Sequence, residues 1–226
     1  MSRNHQKPKQ SYVLTAVLAA AFITAAAFLF LHTSVQKQNS AASGADASVS
    51  ILFIGNSHTY YNDLPRIVRN LAAEDGYDCH VTMLAHGGWY LSQHVEQPEV
   101  RFNILSGGYD YVVLQEYAQP FVQEEAYRES ANILNQWIRE AGSIPVIYET
   151  WAVKSAPEDQ KHMNEVHRMI ADEIGALLAP VGEKWWDYQN AHPELDMFDA
   201  DGEHASEAGS AFAAEWIWKT VKDSFS

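Results

Sequence analysis

One alternation constrains the fold of this chain more than anything else in it. Short apolar runs at residues 51–54, 79–84, 109–114 and 144–148 are separated by longer segments with helical periodicity. Runs of that length, bounded by turn residues, read as buried strands. Between them, residues 64–73 set Leu64, Ile67, Val68, Leu71 and Ala72 on one helix face, with Pro65 in the first turn and Gly76 beyond the end. Residues 124–140 do the same with Ile133, Leu134, Trp137 and Ile138, closed by Gly142. Residues 158–178 read as a further helix, 179–181 as a short fifth strand and 205–221 as the last helix. Strands alternating with helices predict parallel βαβ units with right-handed crossovers. The expected architecture is an α/β three-layer α/β/α sandwich around a parallel sheet of about five strands. Ligands bind such a sheet at the carboxyl ends of its strands, where this chain would present Ser57, Gly87-Gly88, Gln115 and Trp151.

The first part of the chain does not fit that scheme. Arg3, Lys7 and Lys9 precede residues 12–31, which carry no charge and little polarity beyond Thr15 and Thr24. A bilayer core takes about 20 helical residues, the run exceeds the apolar part of a typical cleaved signal peptide, and a basic flank stays cytoplasmic. Residues 1–32 are therefore read as a cytoplasmic tail and single-pass signal anchor in the cell membrane, with the remainder extracytoplasmic, or secreted if the segment is cleaved near 45–47. Residues 33–48, rich in Ser, Ala, Gln and Gly without an apolar period, read as a flexible linker. Residues 49–226 then make one domain of ordinary size.

Charge narrows the partners. The chain carries a formal net charge of −14 at pH 7, and Arg3, Lys7, Lys9 and Lys37 all lie before the domain, which is thus more acidic still. That argues against nucleic acid as a partner and suits a neutral or small substrate. The single cysteine, Cys79, has no intramolecular disulfide partner and sits in an apolar run, where it reads as a core thiol.

Two polar blocks carry the chemistry. Gly55-Asn56-Ser57 follows the first strand and precedes a helix, so the turn would deliver a serine to the sheet's rim; Gly, Asn and Ser are also ordinary turn formers. Near the other end, Asp201 and His204 stand three residues apart across Gly202, before the last helix. A serine nucleophile needs a base, and the base a carboxylate to hold its tautomer, and one short loop could supply both. Helix capping by Asp201 or Ser206 is the plain structural alternative. Among metal motifs, His162 and His167 with Glu165 between them match neither His-Glu-x-x-His nor its inverse, and they are expected on different, partly solvated helix faces. His58, His86 and His94 lie near the rim. A P-loop lysine and a Gly-x-Gly-x-x-Gly run are both missing from the first turn. Of the aromatic residues, Trp89 and Trp151 stand where they could touch a substrate, as sugar-stacking platforms, while core packing is the better reading of the others.

Gly-x-Ser after the first strand, a glycine turn after the second, an amide after the third and Asp-x-x-His before the last helix together resemble the SGNH (GDSL-like) hydrolase family. The resemblance runs from Ile51 to about Trp218 and is closest to a bacterial membrane-anchored subset with Gly-Asn-Ser and Leu-Gln-Glu blocks. It implies a flavodoxin-like fold and a serine esterase that needs neither metal nor cofactor. It implies Ser57 as nucleophile, His204 as general base and acid, and Asp201 as the orienting carboxylate. The oxyanion hole it implies is formed by the backbone N–H groups of Ser57 and Gly88, with Gly87 the neighbouring choice, and by the Gln115 side chain. Three departures stand out: Asn56 where the family usually has Asp, Gln115 where it usually has Asn, and Ala205 where proline often follows the histidine. The expected substrate is a small-molecule or glycan ester, an O-acetyl group on carbohydrate above all, with a short-chain lipid or acyl ester, or a catalytically weakened glycan-binding domain, as the alternatives.

Overall fold

The computed structural model describes residues 47–119 and 121–225. The predicted anchor and most of the predicted linker lie outside these residues; among those described, no helix is long and apolar enough to cross a membrane. In chain order the elements are β1 (Ser48–Gly55), α1 (Ser57–Tyr60), α2 (Leu64–Glu74), β2 (Asp78–Ala85), α3 (Leu91–Val95), α4 (Pro98–Ser106), β3 (Tyr111–Leu114), α5 (Glu124–Glu140), β4 (Ile144–Tyr148), α6 (Gln160–Ile174), β5 (Leu177–Ala179), α7 (Val181–Ala191) and α8 (Glu207–Asp223). Three-residue 3₁₀ turns lie at Tyr61–Asp63 and Pro157–Asp159.

The five strands form one parallel sheet in the order β2-β1-β3-β4-β5. Because the order reverses between β1 and β3, the chain leaves these two neighbours toward opposite faces, which opens a crevice at their carboxyl ends. Alternation along the strands divides the core. Ile51, Phe53, Tyr111, Val113, Val146 and Tyr148 pack on one face against Leu64 and Val68 of α2, Trp185 of α7 and Ala213 and Ile217 of α8. Leu52, Ile54, Val112, Leu114 and Ile147 pack on the other against Leu91, Ile104, Leu134, Ile138, Val166 and Ile170. The central strands are apolar at nearly every position because both faces are covered. Cys79 is buried in β2, where burial pushes its thiol up to about 11.

The C-terminal half departs from the expected boundaries. The helix expected over 158–178 ends at Ile174, where Gly175 takes a left-handed conformation (φ +64°) and closes it. The strand then comes at Leu177–Ala179, and residues 181–191, expected partly as strand, form α7.

His162 and His167 also separate more sharply than expected. His162 is exposed and bonds Glu124 Oε1 at 2.6 Å. His167 is fully buried against Phe121 and Tyr127, its Nδ1–H donates to the Met163 carbonyl at 2.8 Å, and burial holds its pKa near 4. This group binds a proton more readily in the unfolded chain, whose imidazoles titrate near 6.5. Its contribution to stability is therefore lost as pH falls below about 6.5. His167→Phe should remove that loss, so the stability of the variant relative to wild type should rise by about 2 kcal/mol between pH 8 and pH 5. Denaturation curves at the two pH values check this; an equal difference at both would unlink His167 from the acid sensitivity.

Candidate active site

The serine reaches the rim because β1 stops at a glycine that has no room for a side chain. A Cβ on Gly55 would lie 2.4 Å from Thr59 Oγ1 and 2.5 Å from Gln115 Oε1. Asn56 then caps α1, its Oδ1 accepting from His58 N–H at 3.1 Å, while its Nδ2 donates to the Trp89 carbonyl at 2.9 Å. That second bond ties the serine turn to the glycine turn after β2, and it needs an amide, since a carboxylate has no proton to offer the carbonyl. The first departure from the family pattern thus has a structural reason. Ser57 is the first residue of α1, so its N–H has no intrahelical partner.

The histidine arrives from the opposite end of the chain. Residues 198–205 form a tight loop closed by a Phe198–Ala205 bridge and by Asp199 N–H donating to the His204 carbonyl at 2.8 Å. Within it, Asp201 Oδ1 accepts from the backbone N–H groups of Glu203 and His204, both at 2.9 Å. That leaves Oδ2 to accept from His204 Nδ1–H at 2.6 Å. His204 Nε2 in turn accepts from the Ser57 hydroxyl at 2.8 Å. Burial pushes the Asp201 carboxyl upward, but the His204 hydrogen bond and the two backbone amides outweigh it and hold the pKa near 2. The capping role falls to Ser206, whose Oγ accepts from Gly209 N–H at 3.1 Å and donates to the Asp196 carbonyl.

The loop after α1 clamps the imidazole in place. Asn62 and Asp63 are both left-handed (φ +52° and +55°), a conformation that costs about 1–2 kcal/mol in a residue with a side chain. Against that cost, Asn62 Nδ2 donates to the Ala205 carbonyl at 3.0 Å and to Ser210 Oγ at 2.9 Å. The reversal also lays Tyr61 flat on His204, the ring centroids 4.0 Å apart and the planes 12° from parallel. None of this was visible as a motif; Asn62-Asp63 before a proline was the one signal of a sharp reversal.

His58 sits beneath this pair with 2% exposure, its ring 5.2 Å from those of His204 and Trp151. Burial foremost, then the neighbouring His204, holds its pKa down to about 3. His94 is likewise buried and supports the serine turn, with Nε2–H donating to the Gly55 carbonyl at 2.8 Å. His86 is exposed and stacks on Trp89 at 4.1 Å.

Two expectations need correction. Gln115 is fully buried and its amide is turned inward: Oε1 accepts from Asn56 N–H at 2.8 Å and from the Thr59 hydroxyl at 2.9 Å, and Nε2 donates to the Glu116 carbonyl. It braces the serine turn instead of lining an oxyanion hole. Gln115→Met should therefore cost about 1–3 kcal/mol, because Asn56 N–H would be buried without an acceptor. A urea denaturation midpoint checks it; slower turnover with unchanged stability would return Gln115 to the oxyanion hole. Trp151 is the second correction. It is fully buried, stacked on Trp185 at 3.8 Å, and donates Nε1–H to the Glu203 carbonyl at 2.9 Å. It supports the histidine loop from below and offers no face to a substrate. Trp89 is half-buried at the edge of the glycine turn, where Gly88 is exposed with φ +72°.

No family model and no curated protein matches this sequence. Among solved structures, a candidate SGNH hydrolase from Slackia heliotrinireducens is 28% identical, with a TM-score of 0.67, covering 77% of this chain and 99% of its own. A carbohydrate esterase family 3 protein from Talaromyces cellulolyticus (13% identity, TM-score 0.62, 77% and 97% covered) shares the fold. So does a catalytic mutant of an acetylxylan esterase from Geobacillus stearothermophilus (15% identity, TM-score 0.59, 78% and 96% covered). The fold that this chain shares over nearly the full length of these proteins is that of the SGNH (GDSL-like) hydrolases, and on it the serine and histidine blocks meet at one rim of the sheet.

Proposed function

We propose that the protein is a serine esterase that removes short acyl groups, acetyl above all, from carbohydrate on the outer side of the cell membrane. The observation that carries the reading is the unbroken relay Ser57 Oγ, His204 Nε2, His204 Nδ1, Asp201 Oδ2, with contacts of 2.8 and 2.6 Å. In the proposed cycle Ser57 Oγ attacks the ester carbonyl as His204 Nε2 takes its proton. The carbonyl oxygen becomes an oxyanion held by the N–H groups of Ser57 and Gly88. The C–O ester bond breaks and the alcohol leaves with the proton from His204. Water then attacks the acyl-enzyme, giving its proton to His204, and the carboxylic acid departs as Ser57 is reprotonated. The ionised Asp201 holds the imidazole in the tautomer that can accept from serine and steadies the imidazolium that forms.

Carbohydrate is favoured because proteins of the same fold include acetylxylan and carbohydrate esterases. A half-buried Trp89 beside the proposed oxyanion turn offers an aromatic edge to a sugar. The anchor read from residues 1–32 would hold the domain at the cell surface, where such polymers lie. The test is acetate release from acetylated xylan by the full-length protein, beside aryl acetate and aryl octanoate. Release from the polymer, with acetate cleaved faster than octanoate, supports the reading. A preference for octanoate would favour a lipid or acyl esterase, and retention of xylan without turnover would favour a glycan-binding domain.

A further inference from the structure

We infer that His58, Glu203 and His204 form a site for a zinc-like transition-metal ion, and that the ion switches the enzyme off by taking the lone pair of His204 Nε2. The switching rests on His204 being the general base proposed above; the binding does not.

One ring nitrogen from each histidine and one carboxylate oxygen of Glu203 all lie within 4.8 Å of one another. A separate observation points the same way. His58 is 2% exposed and neither of its ring nitrogens has a hydrogen-bond partner. Buried ring nitrogens are ordinarily satisfied, and what sets His58 apart from His94 and His167, each with one open ring nitrogen, is that a carboxylate and a second imidazole stand beside it. The Glu203 carbonyl, which accepts from the Trp151 indole, has a second lone pair for at most one ring N–H of His58, and the other ring nitrogen stays open.

The relay prepares His204 for a metal as well as for catalysis. Its Nδ1–H is committed to Asp201, so the lone pair sits on Nε2, toward Ser57. A histidine whose second nitrogen donates to a carboxylate is the usual outer arrangement behind a zinc ligand. Two imidazoles and one carboxylate make a donor set that zinc takes in tetrahedral sites, and the fourth position would face Ser57. Bond lengths near 2.0–2.1 Å put tetrahedral ligand atoms about 3.4 Å apart. The three groups must therefore draw together by at most about 1.4 Å, most of it from the part-exposed Glu203 side chain. Magnesium and calcium, which need six or more oxygens, do not fit. Since the lone pair that would bind the ion is the one that takes the serine proton, metal and catalysis exclude each other.

The test uses full-length Ser57→Ala protein, so that no turnover is needed, titrated with Zn²⁺ and with Co²⁺ as an optical probe. The expected result is one equivalent bound with the visible band of tetrahedral Co²⁺, lost when Glu203→Gln or His58→Asn is added. In the wild-type chain Zn²⁺ should suppress ester hydrolysis, a chelator should restore it, and Mg²⁺ should do nothing. Glu203→Gln should raise the half-inhibiting Zn²⁺ concentration at least roughly tenfold, each chain being normalised to its own zinc-free rate. The site is overturned by a Co²⁺ spectrum that Glu203→Gln leaves unchanged, or by no binding at one equivalent. The switch is overturned by zinc inhibition that survives Glu203→Gln intact. Should the wild type hydrolyse no ester at all, the general-base reading falls, and the Co²⁺ titration still decides the metal site.

Discussion

Ser57→Ala should leave a folded protein whose aryl acetate turnover is lower by a factor on the order of 10⁴–10⁶. Nothing else in the described site can replace the hydroxyl, because the lone pair of His204 points at Ser57 Oγ and at no other nucleophile. The fold should not notice the change: the turn is held by Gly55, Asn56 and Gln115, and the serine hydroxyl contributes only its bond to His204. Residues that act as one relay are strongly non-additive, so Ser57→Ala/His204→Ala should be no slower than either single variant. Kinetics on purified protein, with near-ultraviolet circular dichroism as the control for folding, make the comparison. A Ser57→Ala chain within tenfold of wild type would sink the serine mechanism.

Asp201→Asn should be the next most damaging change, lowering kcat by a factor on the order of 10²–10⁴ with KM and stability nearly unchanged. Oδ1 of Asp201 accepts two backbone N–H groups, and an asparagine oxygen would keep those bonds. Its NH₂ would then face His204 Nδ1 and force the proton onto Nε2, the tautomer that cannot accept from serine. A carboxyl group exposed at 43% is less critical than a buried one, so the lower part of that range is the better expectation. With its pKa held near 2, Asp201 stays ionised through the working range. Its contribution to stability is present above about pH 4, where the unfolded carboxyl is ionised, and is lost as pH falls toward 2. An acid limb in the rate profile near neutrality therefore cannot come from Asp201, and its survival in Asp201→Asn would show as much.

The sheet was readable from sequence because its central strands are covered on both faces. Residues 51–54 and 111–114 are apolar throughout, which is what burial between two helical layers selects. Where a helix lacks a one-sided stripe the signal fails: Leu91–Val95 is a single turn, and in Pro98–Ser106 the apolar Val100 and Ile104 share the helix with Phe102, exposed at 68%. The Pro180-Val181 step looked like the end of a strand because the packing of Trp185 under β4, which makes 181–191 a helix, is a tertiary fact. At the site, the residue types were legible and some of their directions were not. Gln115 was placed correctly after β3, but which way its amide turns is decided by Asn56 and Thr59, far away in sequence. Trp151 could equally have lined the rim until Trp185 is seen covering it.

The hydrogen bond from Asn56 to the Trp89 carbonyl makes one side chain the fastening between two turns. Aspartate at this position would set a carboxylate against that carbonyl, so Asn56→Asp should loosen the serine turn from the glycine turn although the two side chains have nearly the same shape. Gln115 is bound into the same arrangement through the Asn56 backbone. Both bonds converge on one residue, the side chain of Asn56 fastening the serine turn to its neighbour and the backbone fastening it to the third strand, so this corner is riveted at two points and a change at either leaves it hanging from the other.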